Sequence, residues 1–208
     1  MKSEQEYIRD LSEIRSMMER STRFLSLTGW SGIMAGVYAL TGAYIAYRSF
    51  YEDFASEAFD SEKFTGVTEN MLDLVLLAVA VLVLAIGTAI FLSHRKSTKK
   101  GERLWNAAAR RLIINMAIPL VTGGIFILIL LSKGLFVLAA PSSLIFYGLA
   151  LLNASKFTFE ELRSLGVIQV VLGLFAAFFV DHAILFWALG FGCMHIIYGI
   201  YMHLKYEK

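Results

Sequence analysis

The residue best placed to do chemistry is a histidine, His195, near the middle of the apolar run Ala183–Met202. An ionisable group so deep in an apolar stretch is costly unless it is paired or put to use. Cys193 stands two positions before it, and His203 two turns after it. Two residues apart on a helix is about 200° of rotation, so Cys193 and His195 do not face one metal from a single helix. Ligation of a metal or a haem would need a second ligand from another run, and those runs offer only methionines and polar amides. A single histidine hydrogen-bonded to a neighbouring helix is the simpler reading. No cofactor and no metal are expected.

The other polar groups inside apolar runs are Asn115, Thr122, Ser142, Ser143, Tyr147, Gln169 and Tyr198. Asn115 and Gln169 fall at equivalent places on two rising helices, and Tyr147 and Tyr198 on two falling ones. With His195 they could line a small polar cavity, or they could be interhelical hydrogen bonds worth about half to one kcal/mol each. The two prolines, Pro119 and Pro141, both lie inside runs, where each would remove an amide donor and kink its helix. At the far ends of the runs, Asp73, Asp181 and His182 would make a three-residue metal site if their helices adjoined.

Most enzyme classes are excluded by what is missing. The sequence has no HExxH, no GxSxG, no phosphate-binding glycine loop and no dinucleotide fingerprint. No apolar run carries a buried carboxylate for an intramembrane aspartyl protease or a proton pump. No enzymatic activity is expected.

The elements that must position these groups are read from length and composition. Of 208 residues, 57% are hydrophobic and 17% charged, well to the apolar side of a soluble domain. A spanning helix needs about 20 apolar residues. Six runs qualify, about 24–47, 71–92, 112–131, 135–152, 165–180 and 183–202, the fifth extended by residues 157–163. Only Ser132-Lys133-Gly134 separates the third from the fourth, and only Asp181-His182 the fifth from the sixth. Such breaks permit nothing but tight helical hairpins. The expected fold is all-α, a polytopic membrane bundle of six transmembrane helices arranged as three hairpins.

Orientation follows from Lys and Arg at the run ends. Of the 19 basic residues, only Arg48, Lys63 and Lys133 fall on one side. All the others fall on the side of both termini, which is therefore expected to be cytoplasmic, in a bacterial inner membrane. The charged first 23 residues and the length of the run after them are unlike a cleaved signal peptide, so the first run is read as a retained anchor.

Residues 1–23 form a separate cytoplasmic segment before the transmembrane domain, 24–208. Ser3-Glu4-Gln5-Glu6 fits a capping box. Tyr7, Leu11, Ile14 and Met18 then fall on one helical face. Residues 3–23 would serve as an oligomerisation or partner-docking arm, or lie on the membrane interface. The basic segment 94–111 holds Arg95, Lys96, Lys99, Lys100 and Arg103 before Arg110 and Arg111. It reads as the ordinary topology signal, or as a site for anionic lipid headgroups at about 1 kcal/mol per cation. It has no aromatic platform for nucleic acid, and none is expected to bind. The outer loop 48–69 alternates acids with Phe50, Phe54, Phe59 and Phe64 and follows no cation-ligand spacing.

The hairpins repeat. Gly124-Ile125-Phe126 answers Gly173-Leu174-Phe175, Tyr147-Gly148 answers Tyr198-Gly199, and Phe136 answers Trp187. Gly32 and Gly36 form a GxxxG pair on the first run, the pattern that lets helices approach closely in lipid. The glycine-punctuated two-helix unit with a minimal outer turn, clearest over residues 165–203, resembles the HdeD-like family of small bacterial six-helix membrane proteins. That resemblance implies an envelope-stress role and supplies no catalytic residues. The expected function is a non-catalytic membrane protein that senses or scaffolds. The alternative is a small transporter or channel with a polar path among the last four helices.

Overall fold

The computed structural model describes residues 24–57, 66–99, 101 and 105–207, with side chains described outside 50–57 and 66–71. The described residues form helices and no strand. In order they are α1 (Gly29–Glu57), α2 (Gly66–Lys99), α3 (Ala107–Ser132), α4 (Ala139–Ala154), α5 (Glu161–Phe178), α6 (Ala183–Trp187) and α7 (His195–Tyr206). A π-helical stretch, Ala188–Met194, joins α6 to α7 as one continuous rod. Residues 1–23, Lys100 and Arg103 lie outside the described residues, and with them the expected docking arm.

Five stretches are long and apolar enough to cross a membrane: Leu72–Lys99, Ala107–Ser132, Phe136–Phe157, Glu161–Phe178 and Val180–Tyr206. The chain is therefore a multi-pass helical bundle by composition. The first expected run begins helical only at Gly29, with residues 24–28 irregular, and its helix continues to Glu57. The basic segment 94–111 is less of a loop than its charge suggests, because α2 runs on to Lys99 and α3 starts at Ala107. Asn106 caps α3, its side chain accepting the Ala109 amide at 2.8 Å.

Burial is inverted relative to a water-soluble protein. Leu82, Val83, Ile118, Leu128 and Phe178 are more than half exposed, while Ala39, Ala43, Ala46, Ala150 and Ala154 are buried. In lipid there is no hydrophobic gain from hiding leucine, so small residues take the helix contacts and large apolar ones face outward. The glycines show it directly. Gly32 and Gly36 of α1 lie against Gly199, His195 and Gly192, so the GxxxG pair serves a crossing within the chain. Gly148 of α4 lies likewise against Gly166 of α5.

These contacts run antiparallel between α1 and α7 and between α4 and α5. Contacts of α1 with α2, from Leu27–Lys96 through Tyr38–Thr88 to Gly42–Val81, run antiparallel as well. The helices thus pack in the spatial order α2, α1, α7 with its π stretch, α5, α4, α3. One apolar core gathers Phe24, Leu112, Leu151, Phe159, Leu162, Leu165 and Met202 at one end of the bundle, and a smaller one gathers Leu144, Ala176 and Ala183 toward the other.

The tight turns have local causes. After α3, Gly134 takes φ +73°, and the Gly134 and Leu135 amides close on the Leu131 and Leu130 carbonyls at 3.1 and 2.9 Å. This is the left-handed stop that a residue with a side chain seldom supplies. Pro141 corrects one expectation. It sits in the first turn of α4, where a missing amide breaks no bond of that helix. Pro119 lies buried inside α3, as expected.

Candidate functional site: a closed histidine network

The site is built where α4, α5 and the π stretch meet α7. In the α-helical pattern the Gly190 carbonyl would be held by an amide four residues on. The π stretch loosens that pattern, a distortion that recurs at functional sites. Gly190 O here accepts two side-chain donors, Gln169 Nε2 at 2.7 Å and His195 Nδ1 at 3.0 Å. A Cβ at position 190 would stand 2.5 Å from Leu144 Cδ2 and 2.6 Å from Gln169 Oε1, so a side chain there would displace the tips of both. The second ring nitrogen, His195 Nε2, lies 2.8 Å from the Tyr147 hydroxyl.

Donor logic fixes the tautomer. A carbonyl oxygen only accepts, so Nδ1 carries the hydrogen and Nε2 is the bare nitrogen. Tyr147 therefore donates to Nε2. Gln169 Nε2, 3.5 Å from Nδ1, donates to the carbonyl and not to the ring. Gln169 is fully buried and His195 nearly so. Both nitrogens of His195 are occupied, so neither has a lone pair free for a metal or a haem iron.

Aromatic rings close one side of the network. Phe191 stacks on His195 at 5.9 Å and 18°, and Tyr147 and Trp187 each pack on Phe191 at 5.0 Å. Trp187 is pinned in turn, its Nε1 donating to Ser143 Oγ at 3.1 Å.

Three of the five cavity candidates, His195, Tyr147 and Gln169, are thus brought into one hydrogen-bonded group. Tyr198 lies one turn along α7 from His195, and its buried hydroxyl has no partner. Asn115 does not join them. Its Nδ2 turns back along α3 and donates to the Arg111 carbonyl at 2.8 Å. Among the described residues no group of three His, Cys, Asp or Glu is placed to hold a metal, so Asp73, Asp181 and His182 are not brought together.

Compared with protein-family models, curated proteins and solved structures, the chain matches none.

The lipid-headgroup candidates separate as well. Arg95 is exposed, its guanidinium 5.9 Å from the Phe91 ring centre, and Lys99 is exposed. Lys96 is turned inward: its ammonium donates to the Leu27 carbonyl at 2.7 Å and to Glu207 Oε1 at 3.0 Å. Glu207 is a centre that the sequence reading missed. It also accepts from the Gly29 amide at 3.1 Å and meets His203 Nδ1 at 2.7 Å. Near it, Glu161 Oε1 takes Lys205 and the Tyr206 hydroxyl. Phe24 is held by the α4–α5 connection, its amide donating to Phe157 O at 2.7 Å and its carbonyl accepting from Thr158 Oγ1 at 2.6 Å.

Proposed function

We propose that the chain is a non-catalytic multi-pass protein of a bacterial inner membrane that senses or scaffolds and moves no solute across the bilayer. In this reading six helices span the membrane as three hairpins, α1 being the first span beside the five apolar stretches, and both termini are cytoplasmic. The observation that carries it is the closure of His195. Each ring nitrogen is taken by a partner inside the bundle, and aromatic rings seal one side. A transport path would need these groups facing an aqueous lumen. Instead, Tyr147 bonds His195, His195 and Gln169 share the Gly190 carbonyl, and Asn115 bonds to its own helix.

The envelope-stress role implied by the HdeD-like resemblance fits a protein whose organised polar contacts gather at the end carrying the termini. Glu207, through Lys96, His203 and the Gly29 amide, ties three helices together there, beside the exposed Arg95 and Lys99 that suit anionic headgroups. Residues 3–23 would supply the docking arm for a second copy or a protein partner.

The test is flux and association on the same reconstituted protein. Proteoliposomes loaded with ion- and pH-sensitive dyes are expected to leak no faster than empty vesicles. Deleting residues 1–20 is expected to abolish self-association or partner binding while leaving unfolding unchanged. Sustained flux that is lost in His195→Ala would overturn the reading in favour of a transporter.

A further inference from the structure

We propose that His195 exchanges its proton with one side of the membrane only, the side where the chain termini lie, along a water-bridged path through Glu161, Tyr198 and Tyr147. This rests on the sensor reading and gives it a stimulus, proton concentration.

Three buried side-chain atoms among the described residues lack a hydrogen-bond partner: Gln169 Oε1, Glu161 Oε2 and the Tyr198 hydroxyl. Packing accounts for the first, which fills the space where a side chain at Gly190 would begin. It does not account for the other two. A buried polar atom left bare costs about 1–3 kcal/mol, and a bound water is the usual remedy.

Both bare atoms lie from His195 toward the Lys205 end of α7. Tyr198 is one turn from His195, and Lys205, which holds the other oxygen of Glu161, is two turns beyond Tyr198 on the same helix. The Tyr198 hydroxyl stands within electrostatic reach of both Glu161 and Tyr147. Tyr147 already touches Nε2, the bare nitrogen of the ring. Waters at Glu161 Oε2 and at Tyr198 would complete the path.

The opposite direction is closed by Phe191 and Trp187. The groups facing His195 are Tyr147 from α4, Gln169 from α5, Phe191 from the π stretch and, against its carbonyl, Gly32 from α1. None of these is charged, so the carboxylate of Glu161 is the charged group on the route.

The transfer balances. A proton arriving from solvent at Glu161 passes to the adjoining water. Tyr198 takes a hydrogen from that side and releases its own toward Tyr147, which does the same toward Nε2. Each hydroxyl ends with the hydrogen count it began with, His195 gains one proton and one positive charge, and the solvent loses one proton. Nε2 now donates to the Tyr147 oxygen, and the Tyr147 hydrogen points to Tyr198. The bundle has thereby changed the direction of its central hydrogen bond.

The experiment uses the full chain in proteoliposomes of uniform orientation, with isotope-labelled histidine and the pH set separately inside and outside. Infrared difference spectra after a pH jump report the ring, and His195→Asn identifies its bands. The ring is expected to follow the pH of the side bearing the termini. Tyr198→Phe and Glu161→Gln are expected to slow that response at least about tenfold, the lower range for a positioned proton carrier. Lys205→Gln breaks the same ion pair but keeps the carboxylate, and is expected to leave the rate unchanged. A ring that follows the other side, that never titrates, or that responds equally fast in Tyr198→Phe overturns the path. Dye flux in the same vesicles would overturn the non-transporting reading while leaving the path standing.

Discussion

Glu207, at the end of the described chain, accepts the backbone amide of Gly29, the first residue of α1, at 3.1 Å. A carboxylate at a helix N-terminus meets both an orphan donor and the positive end of the helix dipole. The same oxygen holds Lys96 from the end of α2 at 3.0 Å, and the other oxygen meets His203 at 2.7 Å. One side chain thus joins the start of the first helix to the ends of the second and the last.

Acid is expected to open this junction. Burial alone would push the Glu207 carboxyl up, but the hydrogen bonds from His203 and Lys96, the Lys96 charge and the Gly29 amide outweigh it and hold it below 4.5. A carboxyl lowered by folding contributes stability that is complete above its unfolded value and is lost as pH falls through the folded one. SDS-titrated unfolding between about pH 3 and pH 7 should therefore show a gap of about 1 kcal/mol between the native protein and Glu207→Gln at neutral pH. The gap should narrow as the pH falls below the ordinary glutamate range. A gap that widens in acid would refute this assignment.

The pairing of Tyr147 with His195 is measurable by a double-mutant cycle. Tyr147→Phe leaves Nε2 of a buried ring bare and is expected to cost about 1–3 kcal/mol. His195→Phe removes the ring nitrogens and leaves Gly190 O with Gln169 alone. The coupling between the two substitutions should be about 0.5–2 kcal/mol, the range of hydrogen bonds between membrane helices. Additive losses would mean that the hydroxyl and the ring act independently.

The apolar runs were legible because lipid as a solvent writes long uninterrupted stretches into a sequence, and His195 stood out as the exception within one. Tyr147 and Gln169 were found by their equivalent places in the hairpin repeat. Gly190 was not, because its contribution is a carbonyl, which every residue carries and no sequence letter marks. Asn115 was grouped with the site by its equivalence to Gln169 in the same repeat. That equivalence leaves rotation about the helix axis free, and its amide is used on its own helix. Lys96 and Glu207, 111 positions apart, read as separate topology charges because only the packing of α2, α1 and α7 brings them together. The repeat also misled in one respect. Gly173 lies against Ile145 and Leu144, while its counterpart Gly124 has nothing within 4 Å.

Thr158 tests how the segment before α1 is secured. It is fully buried, and its hydroxyl reaches the Phe24 carbonyl 134 positions away. Valine keeps the shape and removes the donor, so Thr158→Val should cost about 1–2 kcal/mol. Serine retains the hydroxyl and should cost less, which SDS-titrated unfolding of the pair will show.

The glycines divide into two kinds that a single substitution separates. A Cβ at Gly199 would stand 2.6 Å from both the Gly29 carbonyl oxygen and the Ile33 amide nitrogen. Backbone cannot give way as a side-chain tip can, so Gly199→Ala must push α1 from α7 and should cost about 1–3 kcal/mol. At Gly87 and Gly124 the added methyl would meet open space. Relief of glycine's helix penalty should there make alanine neutral or stabilising by up to about 1 kcal/mol. The contrast is read from unfolding of the three variants side by side. If Gly124→Ala proved as damaging as Gly199→Ala, the outer face of α3 would be covered by a second helix in the membrane, and that face would become the place to seek a partner.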